Sequence, residues 1–187
     1  MTVHFGPSAL NTPANVVTIG RLVLTVPLLA MIVADGATWA ALVLWVALCI
    51  TDGIDGLLAR RQGTTRSGAF LDPLADKVLV LGVMVALVAN DTFWWLPVLI
   101  IALRELGILT FRSYWGKRGL AVPATTLAKA KTATQELAVA FALLPFTAND
   151  ASWIALVLLW AAVTLTVVTG VQYVHAGSRT VTTRGSR

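Results

Sequence analysis

This 187-residue sequence contains little charge, one cysteine and two histidines. Asp, Glu, Lys and Arg make up 12% of it, about half of the roughly 25% typical of soluble domains, which excludes an ordinary soluble domain. The single cysteine, Cys49, excludes an internal disulfide and is expected to be a small apolar core residue. The histidines, His4 and His175, lie near the ends of the chain and are expected to be solvated.

Apolar residues dominate instead: 57% of the chain is hydrophobic, and apolar stretches of about 20 residues recur. Each stretch is long enough to cross a hydrocarbon layer about 30 Å thick. The pattern predicts an all-α integral membrane protein with six transmembrane helices, near residues 15–34, 38–58, 70–89, 93–114, 126–147 and 152–174. We expect one domain over residues 1–187, made of an N-terminal segment (1–14), a six-helix core (15–175) and a basic tail (176–187).

Lys and Arg collect on one side of these segments. The connections near Asp35, Asp91 and Asp150 contain none, whereas the connections after the second and fourth segments and the C-terminal tail are basic. Because basic loops tend to stay in the cytoplasm, both termini and the basic connections are predicted to be cytoplasmic. Anionic lipid headgroups then account for the net charge of +5, and no nucleic-acid partner is needed.

Four of the nine carboxylates fall within 25 residues: Asp52, Asp55, Asp72 and Asp76. The first two are three residues apart and the last two are four apart, so each pair is expected on one face of its helix. A short connection makes the two helices antiparallel neighbours, so the four carboxylates can converge. One Asp at membrane depth costs about 2.5–3.5 kcal/mol, and converging carboxylates therefore need cations.

Divalent metal ions are the partners that this acidic run indicates. Oxygen ligands suit Mg²⁺ or Mn²⁺, with Ca²⁺ as a competitor, and two ions would neutralise four carboxylates and suit displacement at phosphorus. Gly56, Ala59 and Gly68 leave room for a ligand beside the acids, and Arg60 is placed to hold a phosphate. The alternative is that the four acids simply mark solvated helix ends.

The run from Asp52 to Asp76 reads D-x2-D-G-x2-A-R-x7-G-x3-D-x3-D, which resembles at every position the signature of the CDP-alcohol phosphotransferases. The resemblance implies a six-helix membrane enzyme that displaces CMP from a CDP-linked donor with an alcohol, using divalent metal. It implies that Asp76 is the catalytic general base and that the metals are bound by Asp52, Asp55, Asp72 and Asp76. It also implies CDP binding by Asp52, Gly56, Ala59, Arg60 and Gly68.

Two further stretches resemble the phosphatidylglycerophosphate synthases of this family. Residues 11–21 are similar to their NxPNxLTxxR segment, and Arg104-Glu105, Arg112 and residues 127–135 are similar to their RE-I…R…LGK-x-KT-x2-Q stretch, with Ala128 where Gly is usual. This resemblance implies CDP-diacylglycerol as donor and glycerol 3-phosphate as acceptor. A phosphate dianion needs cations beyond the metal site, and the predicted set is Arg21, Arg104, Arg112, Lys129 and Lys131.

Several alternatives remain open at this point. Arg104 could form a structural ion pair with Glu105, and the acceptor could be phosphatidylglycerol, as in a cardiolipin synthase, or an inositol phosphate. In a different class, the four Asp residues could line the path of a divalent cation transporter, although they cluster at one end. The resemblance also implies a homodimer in the bacterial inner membrane. The apolar segments and the charge placement predict a multi-pass protein with the active site facing the cytoplasm.

Overall fold

The computed structural model describes residues 13–62, 68–116 and 126–182, which are helical apart from short turns and contain no β-strand. The helices are α1 Pro13–Asp35, α2 Trp39–Gln62, α3 Gly68–Ala89, α4 Trp95–Gly116, α5 Thr126–Leu143, α6 Pro145–Asp150 and α7 Ser152–Thr182. The all-α prediction is confirmed. Two stretches, Asn15–Asp35 and Ser152–Gln172, are long and apolar enough to cross a membrane, and Trp39–Gly53 is a shorter apolar helix.

The six long helices match the six predicted segments within a few residues, except at the ends of the fifth and the sixth. Helix α7 continues to Thr182, beyond the predicted end at 174 and into the stretch predicted as the tail. Helix α5 ends at Leu143 and the short helix α6 begins at Pro145, so the predicted segment over 126–147 is divided. Leu144 is extended, with φ −74° and ψ 115°, because a residue before proline disfavours the helical region. The Thr147 hydroxyl donates to the carbonyl oxygens of Phe141 and Leu144 at this break.

Helix α1 packs against the described parts of both α2 and α3. Within the described residues, α2 and α3 have little direct contact with each other. Helix α5 packs mainly against α7 and also reaches α2 and α3, while α4 packs against α3 and α7. Trp45, Leu28 and Met84 are fully buried in the resulting core, whereas large apolar side chains such as Val43 and Leu103 stay exposed. An apolar outer surface of this kind is what a lipid environment would cover.

The turn between α1 and α2 requires glycine. Gly36 has φ 68°, a left-handed conformation that costs other residues energy, and its N–H donates to the Ile32 carbonyl at 3.0 Å. A Cβ atom at this position would lie 2.9 Å from Asn90 Oδ1 in the turn after α3. Helix α2 then begins with the Thr38 hydroxyl accepting a hydrogen bond from the Ala41 N–H at 3.2 Å.

The two ends of the helix bundle differ in chemistry. At one end, here called the polar end, the starts of α1, α3 and α5 meet the ends of α2, α4 and α7. Its buried polar residues are Asn15, Thr18, Arg21, Thr25, Glu105, Lys131, Gln135, Thr166 and Thr169. The opposite end, here called the aromatic end, carries exposed Trp39, Trp94, Trp95, Phe146 and Trp153. Trp39 and Phe146 make an edge contact there, with ring centroids 5.6 Å apart.

Candidate active site

The first aspartate of the acidic run is paired with a buried arginine from another helix. Arg21 Nη1 on α1 donates to Asp52 Oδ1 on α2. The Arg21 side chain is only 1% exposed, whereas that of Asp52 is 40% exposed. A buried charge is costly unless it is paired, so Asp52 stabilises Arg21 in this position. Arg21 therefore lies at the acidic part of the site, although the sequence predicted it as a contact to the acceptor phosphate.

The last aspartate of the run is paired with its neighbour in sequence. Lys77 Nζ lies 2.8 Å from Asp76 Oδ2 and 2.9 Å from Glu105 Oε2, so one ammonium group bridges a carboxylate on α3 and another on α4. The Asp76 side chain keeps 23% of its surface exposed. Asp76 is therefore held by Lys77 while remaining accessible from the polar end.

Glu105 is the centre of a larger set of charges. Its Oε1 atom accepts hydrogen bonds from Lys131 Nζ on α5 and from Arg104 Nη1, the latter at 3.1 Å. Arg104 Nη2 also donates to the Thr169 hydroxyl of α7 at 2.9 Å. We call this set the Glu105 cluster: Asp76, Lys77, Arg104, Glu105 and Lys131. It joins α3, α4 and α5 through ion pairs and reaches α7 through Thr169.

Arg104 and Lys131, two of the predicted acceptor-binding cations, thus come together in the structure. Their side chains are 15% and 3% exposed, and both bind Glu105. Of the two alternatives for Arg104, the ion pair with Glu105 is present. Lys129 is exposed on a different face of α5, because two residues along a helix correspond to a rotation of about 200°. The spacing of the two lysines therefore places only Lys131 in the interior.

Glu136 is a carboxylate of the polar end that the sequence-based site did not include. This half-buried residue of α5 interacts electrostatically with Asp52, Asp76 and Lys77. The signal available in the sequence was a lone acidic residue inside an apolar segment, directly after Gln135. Only the packing of α5 against α2 and α3 brings it near the two aspartates.

Several predicted site residues cannot be placed as side chains. Asp55, Gly56, Ala59 and Arg60 belong to the last turns of α2, and Gly68 and Asp72 to the first turns of α3. Arg112 belongs to the last turns of α4. Their side chains lie outside the described part of the structure. The predicted CDP slot and all four predicted metal ligands remain predictions.

The described residues suit a hard divalent ion in chemistry but do not by themselves form a metal site. Among the side chains described, no group of three or more His, Cys, Asp or Glu residues is close enough to hold an ion. Asp52 and Asp76 are both partly exposed carboxylates at the polar end, and oxygen ligands are those that Mg²⁺ and Mn²⁺ prefer. The donor set fits such ions once further ligands join these two.

The described residues form helices with an apolar outer surface and buried charges at one end, an arrangement typical of a membrane protein with a polar site at one end of its helix bundle. The sequence comparisons then give the family. The model of the CDP-alcohol phosphatidyltransferases matches residues 11–168. The chain therefore belongs to the CDP-alcohol phosphatidyltransferase family, and it is a phosphatidyltransferase of phospholipid biosynthesis. The prediction made from the acidic motif is confirmed.

Relatives with assigned names are similar over nearly the whole chain. A probable phosphatidylglycerophosphate synthase of Mycobacterium tuberculosis is 39% identical over 183 residues, which cover 94% of this chain and 86% of the relative. A CDP-diacylglycerol–glycerol-3-phosphate 3-phosphatidyltransferase of Shigella flexneri is 35% identical over 176 residues, covering 89% and 94%. A protein of Rickettsia felis with the same name is 33% identical over 172 residues, covering 89% and 94%.

Proposed function

We propose that this enzyme transfers the phosphatidyl group of CDP-diacylglycerol to glycerol 3-phosphate, forming phosphatidylglycerophosphate and CMP. The observation that carries the proposal is the pair of cations formed by the half-buried Arg104 and the buried Lys131, beside the Lys77 that holds Asp76. A phosphate-bearing acceptor needs positive charge next to the catalytic carboxylate, and these cations supply it. The names of the relatives from Mycobacterium, Shigella and Rickettsia agree with this reaction.

The proposed reaction assigns the chain's residues to three tasks. Gly56, Ala59, Arg60 and Gly68, with Asp52, hold the CDP group, and Arg60 contacts its phosphates. Asp76 accepts the proton of the acceptor hydroxyl, whose oxygen forms a bond to the phosphorus of the phosphatidyl group. The bond from that phosphorus to CMP breaks, and CMP leaves with the electron pair. Arg104, Arg112 and Lys131 form the proposed basic set that holds the acceptor phosphate. Arg21 and Lys129 were also predicted for this set, but Arg21 pairs with Asp52 and Lys129 is exposed on a different face of α5.

Asp52, Asp55, Asp72 and Asp76 would hold two Mg²⁺ or Mn²⁺ ions. Bound ions of this kind supply positive charge to the phosphate oxygens during displacement at phosphorus. Arg21 keeps the Asp52 carboxylate oriented, because its buried guanidinium donates to it. Lys77 does the same for Asp76. Both carboxylates are therefore positioned by cations of the chain itself.

We further propose that all six long helices span the bacterial inner membrane as one domain, with both termini and the polar end facing the cytoplasm. The arrangement is supported by the basic connections at the polar end and by the tryptophans at the aromatic end, where indoles prefer the membrane interface. The membrane would then supply CDP-diacylglycerol from the side, and the cytoplasm would supply glycerol 3-phosphate. A homodimer remains part of the proposal.

An acceptor panel tests the reaction. Purified protein is incubated with CDP-diacylglycerol, Mg²⁺ and glycerol 3-phosphate, phosphatidylglycerol or inositol phosphate, and the lipid product is identified by mass. We expect release of CMP only with glycerol 3-phosphate, and loss of that release when the divalent ion is chelated. A product formed only from phosphatidylglycerol or inositol phosphate would refute the proposed acceptor. Membership of an enzyme family leaves the transporter alternative without support.

A further inference from the structure

The Glu105 cluster brings together two sets of residues at the polar end that were predicted separately from the sequence. Asp76 belongs to the acidic run, whereas Arg104 and Lys131 belong to the basic set predicted for the acceptor. The link is Lys77, whose Nζ atom is 2.8 Å from Asp76 Oδ2 and 2.9 Å from Glu105 Oε2. Neither Lys77 nor Glu105 is needed as a substrate contact by the proposed reaction.

Both carboxylate oxygens of Glu105 are occupied. Oε2 binds Lys77, and Oε1 binds Lys131 and Arg104. The Glu105 and Lys131 side chains are only 4% and 3% exposed, so little water can replace a lost partner. Three like charges would repel one another in this volume without the carboxylate between them. Glu105 therefore determines where the three cations can lie.

The charges of the cluster favour a phosphate dianion as ligand. Arg104 and Lys131 share the single carboxylate of Glu105, which leaves an excess of positive charge on their side of the cluster. The further carboxylate of Glu136 interacts with Asp76 and Lys77 on the other side. Asp76 is also part of the acidic run, so a cation bound to Asp76 there would weaken the ion pair between Asp76 and Lys77. The Lys77 ammonium group would then interact more strongly with Glu105. Through this bridge, occupation of the acidic run and binding of a phosphate dianion would each favour the other.

We infer that Lys77 and Glu105 are positioning residues that couple the acidic site to the acceptor site. Glu105 holds Arg104 and Lys131 in place for the acceptor phosphate, and Lys77 transmits the state of Asp76 to Glu105. The inference rests on the proposed function, since it takes Arg104 and Lys131 as acceptor contacts. It adds two residues that bind neither substrate directly and whose effect depends on their charge.

The first test separates acceptor binding from donor binding. Glu105→Gln keeps the shape of the side chain but removes its charge, and we expect it to raise the KM for glycerol 3-phosphate about tenfold, as for one charge-assisted hydrogen bond. The KM for CDP-diacylglycerol is expected to change less than about twofold. Glu105→Asp keeps the charge and should recover most of the loss. Equal changes in both KM values, or no recovery with Asp, would contradict a positioning role.

The second test measures coupling without turnover. Mn²⁺ binding is titrated by the paramagnetic resonance signal of the free ion, with and without glycerol 3-phosphate. We expect the acceptor to tighten Mn²⁺ binding at least about fivefold in the wild type, within the usual range of coupling between sites. Lys77→Met should remove this effect, while Lys77→Arg should retain it. Absence of coupling in the wild type, or persistence of full coupling in Lys77→Met, would overturn the inference.

Controls keep the two proposals distinguishable. Asp150→Asn removes an exposed carboxylate at the aromatic end and should leave both readouts unchanged. Thermal unfolding of each variant in detergent identifies a variant that fails to fold. If Glu105→Gln fails to fold, Lys77→Met and Glu105→Asp still test the bridge. If the acceptor panel selects another alcohol, the proposed function fails. The coupling is then measured with that alcohol, so a failure of the proposed acceptor is distinguished from an absence of coupling.

Discussion

The polar and aromatic ends of this helix bundle are formed by the same six long helices but are held together by different kinds of contact. At the polar end, buried Arg21, Glu105 and Lys131 are each held by an ion pair with another helix. At the aromatic end, the described contacts are ring contacts and tight turns, such as the edge contact of Trp39 with Phe146. Among the described residues, buried charge is therefore concentrated at the end that carries the proposed site, while ring contacts and turns close the other end.

The physical reason is the cost of burying charge. Moving an ion from water into a protein interior costs several kcal/mol, and only a well-placed partner recovers this. Every described ion pair between helices lies at the polar end, where each charge has such a partner. If this division is correct, substitutions at the polar end should affect activity or metal binding, and substitutions at the aromatic end should affect stability alone.

The largest effect is expected for Asp76→Asn. Removing the proposed general base should lower kcat by roughly 10²–10⁴-fold, the usual contribution of general acid–base catalysis. The measurement is release of CMP from CDP-diacylglycerol at saturating glycerol 3-phosphate, with Asp150→Asn as the matched control at the aromatic end. Wild-type kcat in Asp76→Asn would remove the role assigned to Asp76.

A loss of stability is expected for Asp52→Asn, in addition to the loss of metal and CDP binding that its proposed role implies. The substitution removes the carboxylate to which the buried Arg21 donates, and we expect a loss of about 2 kcal/mol in the free energy of unfolding. This is less than the roughly 3–5 kcal/mol for a fully buried pair, because Asp52 is 40% exposed. Chemical unfolding in detergent measures it. Arg21→Met should cost less, since it leaves the more exposed partner, and the reverse order would contradict the pairing argument.

The smallest effect is expected at the aromatic end, for Gly36→Ala. The left-handed backbone and the approach to Asn90 Oδ1 should cost about 1–2 kcal/mol of stability. Both KM values and kcat should stay at wild-type levels in the folded fraction, because Gly36 lies far from the polar end. Loss of activity without loss of stability would show that the two ends are not independent.

Much of the fold could be predicted from the sequence, because apolar stretches and helix-breaking residues act locally. The predicted first segment, 15–34, became Pro13–Asp35, and the fourth, 93–114, became Trp95–Gly116. The exception at Leu144 was also a local signal, since Pro145 follows it, but the apolar run continued across the break and hid it. The spacing of Lys129 and Lys131 puts them on different faces of α5. Only the structure shows that the face of Lys131 is the buried one, which contacts Glu105 of α4.

The site could be predicted only in part. The family and the enzyme class followed from the acidic motif, and both are confirmed by the comparisons. The partners of the motif did not follow, because Arg21 is 31 residues from Asp52 and Glu105 is 26 residues from Lys131. Glu136 and Lys77 were not included in the predicted site. Glu136 is a lone acid in an apolar segment and Lys77 directly follows Asp76, but only the packing of neighbouring helices shows that Glu136 interacts with Asp52 and that Lys77 reaches Glu105.

The sequence by itself determined which stretches form apolar helices, which connections between them carry the cations, and which carboxylates mark the family. These properties depend on residue type and on spacing along one helix. Only the tertiary structure decided that Arg21 binds Asp52 and that Lys77 bridges Asp76 to Glu105. Such contacts depend on how each helix is rotated and tilted against its neighbours, and packing over the whole bundle sets those angles. The linkage between the acidic run and the buried cations is therefore a property of the folded chain.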